Sequence, residues 1–488
     1  MNSNLCIVGL DMGTTSLKVV AYTLAGEELA SRSTLMETHT DTHGQAVQDP
    51  EAIVRAATST LTELAADLAA QGAAIAAIGI SAAMHSLIAL DDRDIPLTPA
   101  MTWMDARPHA QAQALWQTEL GKDVYRHTGT PVHAMAPVVK LAWLHADQPE
   151  LFAKARRFVS IKEYVWHSWF GTWEVDYAMA SATGLLDIQT RTWYDPALAY
   201  AGIRSSALST LVPVDFARPA SALPFADQLP LSDEALCVIG GSDGVLASLA
   251  AGATDGRVMV LTLGTSMALR TGHDEPSTDL ESRSFCYILD DHRFILGGPS
   301  NSGGVVLDWL YRNVFSESGE GFAEKFPALC AEAGTTEVDD LYCIPYITGE
   351  RAPIWDETTS AAFVGLKVYH RQPHLMRAAI EGILFNAYWI AQQLVKQRGK
   401  PELLLVSGKL FQQPWVLSWI ANLFELPLAT QAEIDGATYG AAMVAARRAG
   451  LALAAPPLQL LPTKVDAKAS QQVHRRYKRW RELVQKLL

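Results

Sequence analysis

From Leu5 the chain runs through a short apolar stretch, LCIVGLDM, a Gly-Thr-Thr-Ser turn, a β-branched stretch, SLKVVAYT, an Ala-Gly turn, and a more polar third run, ELASRSTLM. Apolar runs of this length, bounded by Gly, Thr and Ser, predict a three-stranded meander. A similar order returns from Arg257. There RVMVLTLGTSMALRTG reads as a strand, a Gly-Thr-Ser turn and a strand, and SFCYILDDHRFILGG adds a hairpin pair. Two stretches with one plan predict an internal repeat.

Each meander leads into a segment of helical periodicity and then a short apolar run. PEAIVRAATSTLTELAADLAAQG opens at Pro50 and is followed by IAAIGIS, while PHLMRAAIEGILFNAYWIAQQLVKQRG is followed by ELLLVSG. This alternation predicts an α/β fold with two domains in tandem. The length of 488 residues agrees, being too great for one ordinary core. The boundary is expected in DGVLASLAAGATDGR, where Gly252 and Gly256 bracket a helix end, and we set the halves as residues 1–246 and 247–488. Two lobes predict a cleft, and small-molecule sites concentrate in such clefts.

Composition narrows the function classes. A hydrophobic fraction of 49% with 19% charged residues is an ordinary globular balance. The formal charge of −13 speaks against a general nucleic-acid binder, which needs clustered Lys and Arg, but leaves room for a small anion in a local basic pocket. The five cysteines, Cys6, Cys237, Cys286, Cys330 and Cys343, show no CxxC spacing. Neither a disulfide framework nor a zinc site is expected, and a reducing cytoplasm fits. No basic segment followed by a long apolar stretch marks a secretory signal at the N-terminus. Leu68 to Leu90 carries no charge, yet Gln71, Gly72, Gly79, Ser81 and His85 interrupt it. It reads as a helix end, a turn and two short strands, so no membrane span is expected.

Three stretches carry candidate chemistry. In DMGTTS, a Gly-led turn with successive hydroxyl residues can aim several backbone N–H groups at one anion, or it can be a plain hairpin. Asp11 can hold a hard divalent cation there, and Lys18 on the outgoing strand adds positive charge. TLGTSMALR repeats the pattern with Gly264, Thr265, Ser266 and Arg270, and two such nests suit a polyphosphate held between two lobes. In LCVIGGSDGVLASLAAG, Asp243 sits where a strand passes into a helix, placed either to cap the helix or to act as a general base for a hydroxyl. The same stretch matches G-x-S-x-G from Gly240 to Gly244, so a serine hydrolase using Ser242 is a competing expectation. No GxxxxGK[ST] loop occurs, which excludes a Walker-type nucleotide site at the level of motif.

Together these segments resemble the FGGY family of carbohydrate kinases along nearly the whole chain. GLDMGTTSLKVVAY is similar to the first phosphate loop of that family, TLGTSMA to the second, GGSDG to the segment with the catalytic Asp, and VSGKLFQQPWVLSWIANLFELP to the adenosine segment. PYITGERAPIWDETTSAAFVGLKVYHRQPHLMRAAIEG is similar to the family's C-terminal pattern. The resemblance implies two tandem actin-like ATPase (ribonuclease H-like) domains, ATP and Mg²⁺, and transfer of the γ-phosphoryl group to a terminal sugar hydroxyl. By the same resemblance Asp243 accepts the hydroxyl proton, Asp11 organises the magnesium ion, and Gly13, Thr14, Thr15, Lys18, Gly264, Thr265 and Ser266 hold phosphates. Gly408, Lys409 and Gln413 fall in the adenosine segment, with Lys409 standing where the family usually has Gly. A homodimer, a common arrangement in the family, is expected.

Within the family, SAAMHSLIALD, TWMDAR, TGTPVHAMAPVVKLAWL, SIKEYVW and DYAMASATGLLDI resemble the branch that phosphorylates gluconate, while xylulose kinases share the Met-His pair and the Trp-x-Asp-x-Arg stretch. Sugar recognition then falls to Met84, His85, Trp103, Asp105 and Arg107. Arg107 is the expected bidentate partner of a sugar-acid carboxylate, with Lys140, Lys162 and His133 as weaker candidates. Glu350 and Arg351 are expected to form a structural ion pair near the cleft. The basic C-terminal helix HRRYKRWRELVQKLL is expected to close the second domain.

Overall fold

The computed structural model describes residues 4–316, 320–432 and 434–487. The first meander forms as read: Asn4–Met12, Ser16–Thr23 and Glu28–Leu35 pair antiparallel in sequence. On the other side of Asn4–Met12 lie, in parallel, Ala73–Ala82 and then Leu231–Ser242, with Ala217–Pro219 at the edge. The second sheet repeats this plan. Val258–Leu263, Met267–His273 and Phe294–Ser300 form its meander, and Leu403–Ser407 and Leu428–Gln431 its parallel side. Phe285–Ile288 and Leu458–Leu460 extend the two edges.

The period of two in the strands separates two packing faces. Cys6, Val8, Leu10 and Met12 join the core beneath the helix Pro50–Ala70, whereas Ile7, Val20 and Tyr22 face the helix Gly436–Arg448. That helix comes from the C-terminal half, so the first sheet is completed by the second half of the chain. The approach is close: a Cβ at Gly9 would lie 1.9 Å from the Thr438 carbonyl oxygen, and only glycine fits. Pro50 occupies the first turn of its helix, and Asp49 caps it by accepting from the Glu51 N–H. The expected division at 246/247 falls inside the helix Asp243–Ala250.

Between the strands Ala73–Ala82 and Leu231–Ser242, the chain builds a helical layer with its own apolar cluster, including Tyr125, Val138, Leu141, Trp143 and Phe158. At the other end, the helix Ala467–Leu487 seals the second half. Trp480 is fully buried and donates to the Cys343 carbonyl at 2.8 Å, and Arg476 pairs with Glu381 at 2.7 Å on the helix Gln372–Arg398. The five cysteines are buried and unpaired. Among the described residues no helix is long and apolar enough to cross a membrane.

Candidate active site

A cavity of about 380 Å³ opens where the turns of the two sheets meet. Gly13, Thr14, Thr15 and Ser16 line it from the first sheet, and Ser266, Met267 and Ala268 from the second. The turns share a device: the Gly13 N–H donates to the Ser16 carbonyl at 3.1 Å, and the Gly264 N–H to the Ser266 carbonyl at 2.9 Å. Gly264 and Thr265 form the exposed tip of the second turn, which is tied to the start of the helix Gly304–Leu310 through Gly304 N–H to Gly264 O and Val305 N–H to Thr265 O. The Gly303-Gly304 pair that backs this loop went unread in the sequence; its visible signal is Ser-Gly-Gly before an apolar helix.

Asp11 and Asp243 face the same cavity. The parallel register sets Asp11 opposite Ser81, whose hydroxyl donates to Asp11 Oδ1 at 2.6 Å. Asp243 begins its helix directly after the strand Leu231–Ser242, whose register shifts at Gly240; there, at φ +67°, the backbone comes so close to the Ile80 carbonyl that a Cβ would lie 2.0 Å from its oxygen. Poor solvation, followed by the Asp243 charge, pushes the Asp11 carboxyl up to about 7. Asp243 is also raised, chiefly by burial, against the opposing effects of the Gly244 N–H and the Arg270 charge. Two such carboxylates at one cavity suit a hard divalent cation, which takes one or two carboxylates and completes its shell with water and phosphate oxygens.

The same cavity is also lined by Met84, His85, Trp103, Phe285, Tyr287 and Arg351. His85 Nδ1 lies 2.7 Å from the Ala182 carbonyl, which can only accept, so Nδ1 carries the proton and Nε2 is left as an acceptor 3.5 Å from the Tyr287 hydroxyl. Burial and the Lys140 charge hold this ring neutral, with its pKa lowered to about 3. The Arg351 guanidinium lies 5.3 Å from the Trp103 ring centroid and donates to Asn301 Oδ1 at 2.8 Å.

Asp105 and Arg107 do not reach the cavity. Asp105 is fully buried and holds the Arg107 guanidinium at 2.5 Å, and Arg107 also bonds Gln45 and stacks 4.6 Å from the Trp143 centroid. Arg107 is thus already committed to a carboxylate. Lys140 is buried and donates to the carbonyls of His85 and Thr102 at 2.6 Å each, tying together the segments that present His85 and Trp103. Lys162 pairs with Asp176 at 2.7 Å and supports the Gly241 carbonyl, and His133 faces Glu357 at 2.9 Å. Lys18 pairs with Asp435 at 3.4 Å and lies outside the cavity lining.

Glu350 and Arg351 are not a side-chain ion pair. The Glu350 carboxylate accepts from the backbone N–H groups of Asn301 and Arg351 and from Ser300 and Asn386. The guanidinium is left facing the cavity. Replacing Lys140 by Met is expected to cost about 1–3 kcal/mol for the His85 carbonyl left without its donor, whereas the Thr102 carbonyl keeps the Asp105 N–H at 3.2 Å, checked by urea denaturation.

A second cavity, of about 560 Å³, lies against the helix Asp243–Ala250 and is lined by Thr262, Arg270, Ser407, Gly408, Lys409, Phe411, Gln412 and Gly436, among others. Gln413 stands at the start of the helix Pro414–Phe424 and is not among these. The N- and C-terminal domain patterns of the FGGY family of carbohydrate kinases match residues 6–250 and 259–449. The chain belongs to that family.

A gluconokinase of Bacillus subtilis (strain 168) is 34% identical, over 90% of this chain and 86% of the relative. Two crystal structures from Lactobacillus acidophilus, one of a gluconate kinase and one of a ligand-bound xylulose kinase, each superpose with a TM-score of 0.89 at 31% identity, covering 99% of this chain and 98% of theirs. As an FGGY kinase, the protein is an ATP-dependent sugar phosphotransferase with the two-domain actin-like fold. The serine-hydrolase reading falls: Ser242 is fully buried, and among the described residues its hydroxyl has no hydrogen-bond partner, so it has neither access nor a base there.

Proposed function

We propose that this kinase phosphorylates the terminal hydroxyl of a sugar acid, D-gluconate, giving 6-phospho-D-gluconate. One observation carries the reading. Arg351, in a sugar cavity that also offers Trp103, Tyr287 and His85, has no carboxylate partner among the described residues, whereas Arg107 does. A guanidinium in the pocket with no carboxylate partner suits the carboxylate of an aldonic acid and has no counterpart on a neutral ketose. The likeness to the Bacillus and Lactobacillus gluconate enzymes supports the same choice.

In the proposed reaction Asp243 accepts the proton of the attacking hydroxyl, and the two turns hold phosphate oxygens through backbone N–H groups and hydroxyls. Trp103 offers an apolar face to the sugar C–H groups, and His85 Nε2 accepts from a sugar hydroxyl. The second cavity takes the nucleoside, and Lys409 is close enough to its wall to meet phosphate. Asp11 would hold Mg²⁺, which when bound neutralises charge on the phosphates.

A coupled assay against gluconate, xylulose, ribulose, glycerol and fuculose tests the substrate. Gluconate is expected to lead in kcat/KM by at least about tenfold, the worth of one charge-assisted hydrogen bond. A lead for xylulose would overturn the sugar-acid reading while leaving the kinase assignment intact.

A further inference from the structure

Among the described residues, Arg270 alone lines both cavities, the one with Asp243 and the phosphate-loop turns and the one with the adenosine segment. It lies in the strand Met267–His273, directly after the second turn, and its side chain crosses to the start of the catalytic helix. The approach is close: a Cβ at Gly244 would stand 3.2 Å from Arg270 Nε and 3.3 Å from Nη2. The guanidinium therefore rests against the residue next to Asp243. Among the described residues it makes no hydrogen bond or ion pair of its own. The other arginine in the lining of that cavity, Arg351, is anchored by Asn301.

A cation placed between donor and acceptor cavities, beside the base and without a partner, is positioned for the group that passes between them. We propose that Arg270 is a further catalytic residue, donating to the oxygens of the transferring phosphoryl group. In the step it serves, the sugar hydroxyl oxygen forms the new P–O bond and its proton passes to Asp243. The bond between the γ-phosphorus and the bridging oxygen breaks, and that electron pair leaves on ADP. Arg270 neither gains nor loses a proton. Its planar fork meets charge that is spread over the equatorial oxygens as the group moves, so its contacts strengthen in the transition state rather than in either ground state. Arg270 and Arg351 thereby divide the work, one at the reacting end and one at the carboxylate end. The inference rests on the phosphotransferase activity and not on the identity of the sugar.

The test is R270Q and R270K, assayed with gluconate and with a neutral acceptor that the wild-type enzyme accepts, alongside binding of ADP with aluminium fluoride in the presence of sugar. Both variants are expected to lose kcat on both acceptors, R270Q by at least about 100-fold and R270K by less. The KM values for ATP and sugar stay within a few-fold, and affinity for ADP–aluminium fluoride falls while affinity for ADP alone is kept. R270K carries the test if R270Q does not fold, and added guanidinium ion should return part of the activity of R270A. A rise in gluconate KM with kcat retained, and no effect on the neutral acceptor, would overturn the proposal in favour of carboxylate recognition. A rise in ATP KM alone, or unchanged kcat, would overturn it as well.

Discussion

Replacing Asp243 by Asn is expected to lower kcat by about 10²- to 10⁴-fold while ATP and sugar still bind, because the substitution removes a proton acceptor and little volume. Steady-state kinetics with equilibrium binding of both ligands checks it. Near-normal turnover would remove Asp243 from the role of base. Burial raises the Asp243 pKa, so its active, ionised form is lost at a higher pH than an ordinary carboxylate would require. The acid limb of kcat in the wild-type enzyme should lie above the usual Asp range and disappear in the variant. Stability moves the other way. A carboxyl whose folded pKa is raised costs stability above that pKa and costs nothing below its unfolded value, so at neutral pH the ligand-free Asn variant should melt no lower than the wild type, and higher if the charge was the dominant cost.

The repeat was legible because it rests on local pattern. Strand-length apolar runs, the Gly-Thr-Ser turns and proline at a helix start each report on a few consecutive residues, and the two sheets follow them. The helix Gly436–Arg448 shows where such reading stops. Its residues look like an ordinary helix of the second half, yet its contact with Gly9 and Ile7 depends on how the halves pack. The same limit applies at the site. Asp11, Asp243 and the two turns stand in motifs and were named from them; the structure sets Asp11, Asp243, Gly13, Thr14, Thr15 and Ser266 in one cavity lining and leaves Gly264 and Thr265 outside it. Arg107 was expected in the cavity and Arg351 in an ion pair with Glu350, whereas the structure binds Arg107 to Asp105 and sets Arg351 in the cavity lining, since a sequence shows a guanidinium but not what already holds it. Asp105 is two residues from Arg107 and binds it, while Glu350, adjacent to Arg351, turns its carboxylate into a network with Ser300 and Asn386.

Replacing Arg351 by Leu is expected to lower kcat/KM for gluconate by about 10²- to 10³-fold, the effect of removing one partner from a desolvated, hydrogen-bonded charge pair. On a neutral ketose or polyol the same variant should lose less than about tenfold, since such a substrate brings no carboxylate to this position and the leucine still covers the Trp103 face. The contrast separates a lost contact from a damaged site. Arg351 holds Asn301 and the Ser300 carbonyl, so a structural role alone would depress both kinds of substrate together and lower the melting temperature. A preference that shifts toward neutral sugars, with stability kept, can come only from a cation that the carboxylate was using. Equal losses on both would instead make Arg351 a brace for the Ser300 and Asn301 segment, and the carboxylate would then have to be met by the Tyr287 hydroxyl or by backbone donors.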